Sequence, residues 1–320
     1  MLAALQWTLA ARDHRHISPS GSIVNGLHVY QQGQGTPPVV LESGLGASCL
    51  SWSLVQSQVA GFTVTYSYDR AGFGWSSPNG SNPCLLDRRA DDLHGLLQAL
   101  NVSPPYILVA HSFGAYIVRH HAHHYPDQVA GVVLVDPLTP EEWTNPGAEQ
   151  RWRLRRAIFF TCVAGVLAGL GMARFALWLL LARKDESPGP VSRFSTTLRR
   201  VRNELKKFPP EALPLIRAHW SRPGFYWALA ANLRDLSACA AVAAQCTIPC
   251  SIPVTVLSGA QQPPERLAEH AALAKASRAG RHVLCASEHY MHLDQPELIV
   301  DEIKRIATSI HFTTAEPSPI

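Results

Sequence analysis

The segment Val109-Ala110-His111-Ser112-Phe113-Gly114-Ala115 places a serine between a buried apolar run and a helical pattern. A serine on so sharp a turn projects its hydroxyl above a sheet, at the N-terminal end of the following helix. Positions two residues either side crowd the backbone and must be small, which Ala110 and Gly114 are. The plain alternative for Ser112 is a helix N-cap. A serine hydroxyl is a weak nucleophile at neutral pH, so acyl chemistry needs a base within hydrogen-bond reach. Two histidines follow the last apolar run, in Ser287-Glu288-His289-Tyr290-Met291-His292. A carboxylate is needed to fix the imidazole tautomer and stabilise the imidazolium. Asp136 ends an apolar run beyond the serine, and Glu265 lies past Pro263 and Pro264. A tetrahedral intermediate also needs donors for its oxyanion, and the backbone N–H of Phe113, just after the serine, is one.

Those residues must be held by a rigid frame, and the pattern supplies one. Ser22 to Gln31 reads as a hairpin about Asn25-Gly26. Pro38 to Glu42 is a short apolar run ending in Ser43-Gly44-Leu45-Gly46, and Phe62 to Asp69 reads as another strand. Asn82 and Pro83 open a helix carrying Leu86, Leu93, Leu97 and Leu100 on one face. Tyr106 to Ala110 is a strand, then a helix runs to Tyr125, and Ala130 to Val135 is a further strand. After a long helical stretch the alternation resumes. Pro253 to Leu257 reads as a strand, Pro264 to Ala279 as a helix and Arg281 to Cys285 as a strand. The closing helix opens at Asp294 with Glu297 at capping-box spacing, and carries Ile299, Ile303, Ile306 and Ile310. Short, wholly apolar strands separated by helices imply an α/β fold, a mostly parallel sheet with helices on both faces. The expected division is an N-terminal extension at 1–21, a core at 22–137 and 251–312, an inserted helical cap at 138–250, and a tail at 313–320.

In this arrangement the chain resembles the α/β-hydrolase superfamily, in its serine-nucleophile, cap-bearing branch, from about Ser22 to Ile310. The segment Tyr68-Asp69-Arg70-Ala71-Gly72-Phe73-Gly74-Trp75-Ser76 looks like the family's loop after the fourth strand, and His289 to Pro296 looks like its histidine loop. The resemblance implies that Ser112 is the nucleophile and His289 its base, with His292 the competitor. It also implies that the N–H of Leu45 is the second oxyanion donor beside that of Phe113. The family's usual acid lies after the seventh strand. Here that loop, Ser258-Gly259-Ala260-Gln261-Gln262-Pro263, holds no carboxylate, so Asp136 at the end of the sixth strand is the expected acid and Glu265 the alternative. Three departures stand out: Ala110 where Gly is usual, Ser43 where His is common, and Glu288 in place of a glycine. The fold's dehalogenase and epoxide-hydrolase branches use an aspartate nucleophile, against which Ser112 speaks.

The chemistry expected is that of a cofactor-free, metal-free serine hydrolase cleaving small-molecule carboxylic esters with hydrophobic groups. Amide, lactone or carbon–carbon bond hydrolysis, or a non-catalytic ligand-binding protein of the same fold, are the alternatives. A net charge of +4 with no long basic run argues against a nucleic-acid partner. His120, His121, His123 and His124 could collect a metal by helical spacing, but are expected on a solvated helix face. Seven cysteines without a Cys-x-x-Cys pair suit reduced thiols, and an uncharged start without a basic region argues against a signal peptide. Both favour a cytoplasmic setting. Between Ala157 and Ala182 only Arg174 is charged, with Arg151, Arg153, Arg155 and Arg156 just before. One span there would put parts of one sheet on opposite sides of a bilayer, and two spans need about 40 residues. The segment is therefore expected to roof a pocket, with peripheral membrane contact through the cap as the lesser expectation.

Overall fold

The computed structural model describes residues 6–10, 12–13, 17, 19–78, 85–182 and 202–314; the expected helix start at Asn82-Pro83 and Cys84 lie outside them. Eight strands form one sheet: β1 (Ser22–Val24), β2 (Leu27–Gln32), β3 (Val39–Glu42), β4 (Thr65–Tyr68), β5 (Tyr106–His111), β6 (Val129–Val135), β7 (Val254–Gly259) and β8 (Arg281–Cys285). Their spatial order is β1-β2-β4-β3-β5-β6-β7-β8. β2 runs antiparallel to both β1 and β4, and every other pair is parallel. The hairpin closes at Val24↔Leu27, with Asn25 and Gly26 at φ 51° and 80°, the left-handed pair that a two-residue turn requires.

The alternation of side chains along the central strands separates two cores. Leu108 and Ala110 of β5 and Val132 and Leu134 of β6 face one side. There they meet α2 (Leu86–Ala99) and α3 (Gly114–His124). Ile107, Val109, Val133 and Val135 face the other side, with Trp52 and with α1 (Ser53–Val59). The strands between are buried on both faces, which explains why they read as continuous apolar runs.

Residues 138–250 contribute helices and no strand among the described residues. These are α4 (Pro140–Thr144), α5 (Ala148–Gly169), α6 (Met172–Ala182), α7 (Ala212–Trp220), α8 (Pro223–Arg234) and α9 (Leu236–Gln245). They fill the insertion between β6 and β7, and α9 sends Leu236, Cys239, Ala240 and Ala243 into the first core and so is part of its wall. The N-terminal residues pack on the cap: Gln6 Nε2 donates to the Ser221 carbonyl at 2.8 Å, and Asp13 pairs with Arg174.

The chain then completes the sheet through α10 (Pro264–Lys275), α11 (Met291–Asp294) and α12 (Pro296–Thr314). The closing helix differs from expectation at its start. Pro296 is its first residue, and Asp294 ends α11, where its carboxylate accepts from the Ser287 hydroxyl at 2.7 Å and pairs with Lys207 at 2.8 Å. Two elements are shorter than expected. Phe62 and Thr63 belong to the turn leaving α1, both donating to the Val59 carbonyl. α10 stops before Ser277, whose hydroxyl is drawn to the Ile252 carbonyl at 2.7 Å.

The histidine-rich end of α3 is also unlike the solvated face expected of it. His123 and His124 are exposed, but His120 and His121 are buried. His121 Nε2 shares a 2.7 Å hydrogen bond with the Tyr106 hydroxyl, and His120 Nε2 lies 2.9 Å from Asp87. The start of the same helix is where its packing governs the site. A Cβ on Gly114 would lie 2.8 Å from both Glu42 Cγ and the Ser43 carbonyl oxygen. Gly114→Ala must therefore push α3 off the end of β3, and we expect a loss of about 1–3 kcal/mol of stability, measured by urea unfolding.

Candidate active site

Ser112 follows β5 at φ 52°, the left-handed region that costs a non-glycine residue roughly 1–2 kcal/mol. Main-chain bonds hold it there. Its N–H donates to the Val135 carbonyl at 3.0 Å, and its carbonyl accepts from Leu138 N–H and from Ala115 N–H, both at 3.1 Å. The residue enclosed by Val135 and Leu138 is Asp136-Pro137, and Asp136 is itself at φ 41°, its N–H bound to the Leu257 carbonyl at 2.8 Å. The serine turn and the aspartate turn are thus stitched together at adjacent strand ends.

The Asp136 carboxylate is buried and receives two side chains. His289 Nδ1–H donates to it at 2.6 Å, and Gln262 Nε2 reaches both oxygens at 3.1 and 3.2 Å. Glu265 is exposed in the first turn of α10 and makes no such contact. The loop after β7 therefore brings an amide, not an acid, to the carboxylate supplied by β6. Pro137 is held in turn, because its carbonyl accepts from His270 Nε2 at 2.9 Å. Sequence reasoning missed His270, which carries no local signal because its partners lie on β7 and after β6.

The histidine loop is fixed from below. His111 Nε2–H donates to the His289 carbonyl at 2.9 Å. Burial, with the imidazoles of His292 and His289 packed alongside, holds His111 well below the usual imidazole range. His292, the rival of His289, is buried beside Trp52 with ring centroids 5.0 Å apart, and its Nδ1 has no partner. It has no carboxylate within hydrogen-bond reach, which separates it from His289.

On the other flank Arg70 reaches into the Gly-rich turn. It pairs with the buried Glu42 carboxylate and donates to the carbonyls of Ser43 and Gly44, while the Tyr68 hydroxyl donates to the other oxygen of Glu42. In a trans peptide the C=O and the following N–H point in opposite directions. Because the Gly44 carbonyl is turned to Arg70, the N–H of Leu45 faces away from it. Ser43 donates to the Ser48 carbonyl at 3.1 Å and closes the loop on itself. Asp69 anchors the segment after β4. Burial pushes its carboxyl up, but hydrogen bonds from His28, Cys49 N–H and Trp75 N–H outweigh this and hold it below the usual range.

Ser112, His289, Leu45 and His292 open onto one cavity of about 450 Å³. Its far walls are Leu138, Trp143, Leu154, Ile216, Trp220 and Leu236. Of the segment 157–182 expected as its roof, Ala157 alone is among the lining residues. The walls come from α4, α7, α9 and the first half of α5 instead, and the large apolar side chains of residues 158–179 are not among them.

Among the described residues, two groups bring metal-ligand atoms within 4.8 Å of one another: His120, His124 and Cys246, and His28, Cys49 and Asp69. In the first, His120 Nε2 already faces Asp87 and burial pushes the Cys246 thiol up, keeping it protonated. In the second, Asp69 is committed to its three donors.

Burial pushes His292 from 6.5 to about 3. The unfolded chain then binds a proton near pH 6.5 that the folded chain refuses until about pH 3, so this residue's contribution is full above pH 6.5 and lost as pH falls toward 3. We expect Tm to drop over that interval in the wild type, and the slope to flatten by about one proton in His292→Gln, read from unfolding free energies at several pH values.

A family model described as "Alpha/beta hydrolase family" matches residues 39–302. The uncharacterized protein YqjL of Bacillus subtilis is 32% identical over 108 residues, covering 34% of this chain and 42% of YqjL. The chain thus spans less than half the length of that curated relative. Among solved structures, a thermophilic esterase from Thermogutta terrifontis is similar at TM-score 0.58 and 24% identity, covering 89% of this chain and 94% of the other. A laboratory-evolved variant, R-C1, of the potato epoxide hydrolase StEH1 is similar at TM-score 0.68 and 18% identity, covering 91% and 98%. Likenesses at this identity speak to the fold. The family match, spanning all the strands of the parallel sheet and the loops that carry Ser112, Asp136 and His289, shows that the chain belongs to the alpha/beta hydrolase family.

Proposed function

We propose that the protein is a serine hydrolase that cleaves carboxylic esters bearing hydrophobic groups through an acyl-enzyme intermediate. The observation that carries this reading is the 2.6 Å contact between His289 Nδ1 and a fully buried Asp136, on the wall of the cavity that Ser112 also lines. With Asp136 accepting at Nδ1, the free Nε2 of His289 takes the proton of Ser112 as its oxygen attacks the acyl carbon. The amides of Leu45 and Phe113 hold the oxyanion, and the orientation that Arg70 imposes on the Gly44–Leu45 peptide supports the first of these roles. His289 then protonates the departing alkoxide. In the second half it draws a proton from water, which attacks the acyl carbon and releases the acid and Ser112.

Ester cleavage with hydrophobic groups is supported by the apolar walls of the cavity that Ser112 lines. The epoxide-hydrolase likeness brings no aspartate to the serine position, which speaks against that chemistry. Labelling by a fluorophosphonate, in which Ser112 displaces fluoride, separates a hydrolase from a ligand-binding protein of the same shape. Ser112→Ala is expected to abolish labelling and hydrolysis together with an unchanged far-UV spectrum. Asp136→Asn is expected to lower kcat by up to about 10⁴, and Glu265→Gln to change it less than about twofold. Loss in the glutamate variant alone moves the acid to the loop after β7, and no effect of either leaves a Ser112–His289 dyad.

The cavity wall sets acyl preference. Each buried CH₂ is worth about 0.8 kcal/mol, close to fourfold in kcat/KM. Filling the space at Ala157, as in Ala157→Trp, is therefore expected to reduce kcat/KM for an octanoyl ester at least about tenfold while leaving the acetyl ester within about threefold. Equal losses on both substrates point to damage beyond the cavity.

A further inference from the structure

The outer face of α5 and α6 is built inside out relative to a helix that only roofs a pocket. In the second half of α5 the inward side is made of small residues. Gly165 and Ala168 are the buried positions of α5, and a Cβ on Gly165 would lie 3.2 Å from the Trp227 ring. Its outward side is made of large ones: Trp152, Phe159, Phe160, Phe175 and Trp178 are each more than half exposed, and Val166 and Met172 lie among them. A soluble monomer rarely shows so continuous an apolar surface without a partner for it.

The charges are sorted about this face. Between Ala157 and Leu179 the one charged residue, Arg174, turns inward to Asp13 and to Gln6 Oε1. The first turns of α5 carry the basic border. Arg151, Arg155 and Arg156 are exposed, and Arg155 and Arg156 have no acidic partner among the described residues. The Arg156 guanidinium lies 4.4 Å over the Trp152 ring and 5.8 Å from that of Phe160, extended along the apolar face.

No single described helix is long and apolar enough to span a bilayer, and the two helices together pass that test only across a 93° bend. Gly171 makes the bend at φ 84°, with the Gln6 side chain packed against it. A pair bent in this way can lie along an interface with its outer face toward the lipid. A second copy of the chain is the less suitable occupant, because a two-fold contact over this face sets Arg155 and Arg156 near their own duplicates. An anionic surface neutralises them instead, leaves guanidinium groups at headgroup depth, and takes the aromatic rings below.

The geometry points to the α5–α6 face as a docking surface for an anionic lipid bilayer, held by the aromatic side chains and by Arg155 and Arg156. Leu154 and Ala157, on the inner side of the same helix, line the cavity, so docking sets one cavity wall against the lipid. The docking itself does not depend on the ester-hydrolase reading.

Flotation of the full chain with phosphatidylcholine vesicles, alone or with about a third phosphatidylserine, tests it. Retention is expected on the anionic vesicles, falling with added salt. Arg155→Gln with Arg156→Gln should reduce partitioning at least about tenfold, since each arginine is worth close to fivefold at such a surface. Phe159→Ser with Phe160→Ser should abolish it. Neither pair touches the cavity or Ser112, so both variants should keep wild-type Tm and fluorophosphonate labelling, which keeps this result apart from the fate of the hydrolase reading. The proposal is overturned by equal retention on neutral vesicles, by wild-type retention of the arginine variant, or by no retention at all. The last, with light scattering showing a dimer that Phe159→Ser/Phe160→Ser dissociates, would make the face a contact between copies of the chain.

Discussion

Everything at the site depends on one pair of main-chain hydrogen bonds between neighbouring strand ends. Ser112 N–H donates to Val135, and Leu138 N–H donates back to Ser112. Together they carry the β5–β6 ladder past the last strand residues and force both Ser112 and Asp136 into left-handed backbone geometry. Neither residue would adopt it alone, and the cost is met by strands buried on both faces. The spacing of hydroxyl and carboxylate is then a property of the sheet, and no loop has to hold it.

The imidazole is supplied differently. His289 sits on a loop, with a third of its side chain exposed against a fully buried Asp136. Its position is over-determined from outside: His111 holds its carbonyl, and Ser287 and Lys207 both close on Asp294 just beyond. Lys207 belongs to the cap region, so the histidine loop is braced by the same segment that covers the cavity.

What the sequence revealed and what it hid divide along the range of the interactions. The strand–serine–helix turn is local, written in the apolar run Tyr106 to Ala110 and in Gly114, and so is the two-residue turn at Asn25-Gly26. The acid was open between Asp136 and Glu265 because the choice turns on which strand end lies beside the histidine loop, a fact of sheet order. His120 and His121 read as solvated because a polar residue on a helix is ordinarily exposed. Their partners Asp87 and Tyr106 are distant in sequence, and pairing is what makes burial affordable. The apolar segment 157–182 failed for a complementary reason. When both faces of a helix are apolar, periodicity cannot say which one meets the protein, and the small residues Gly165 and Ala168 decided it.

Ser43 departs most from the family's pattern, and the structure contains the compensation. A histidine there would brace the Gly-rich turn from one side. Here the turn is braced from beneath, by a guanidinium whose planar fork serves Glu42, Ser43 and Gly44 at once. Burial pushes the Glu42 carboxyl up, and Arg70 with the Tyr68 hydroxyl opposes that shift. His111 fills the remaining space: a Cβ on Gly44 would lie 2.5 Å from its Nδ1 and 3.5 Å from Ser112 Cβ. Gly44 is therefore needed for close approach to two residues of the site rather than for an unusual φ. A lysine at position 70 would keep the charge but not the fork, releasing at least one carbonyl and with it the direction of the Leu45 N–H. In this chain the direction of the Gly44–Leu45 peptide is set by an arginine of the neighbouring strand's loop, on the side away from the Ser43 hydroxyl's own bond to Ser48.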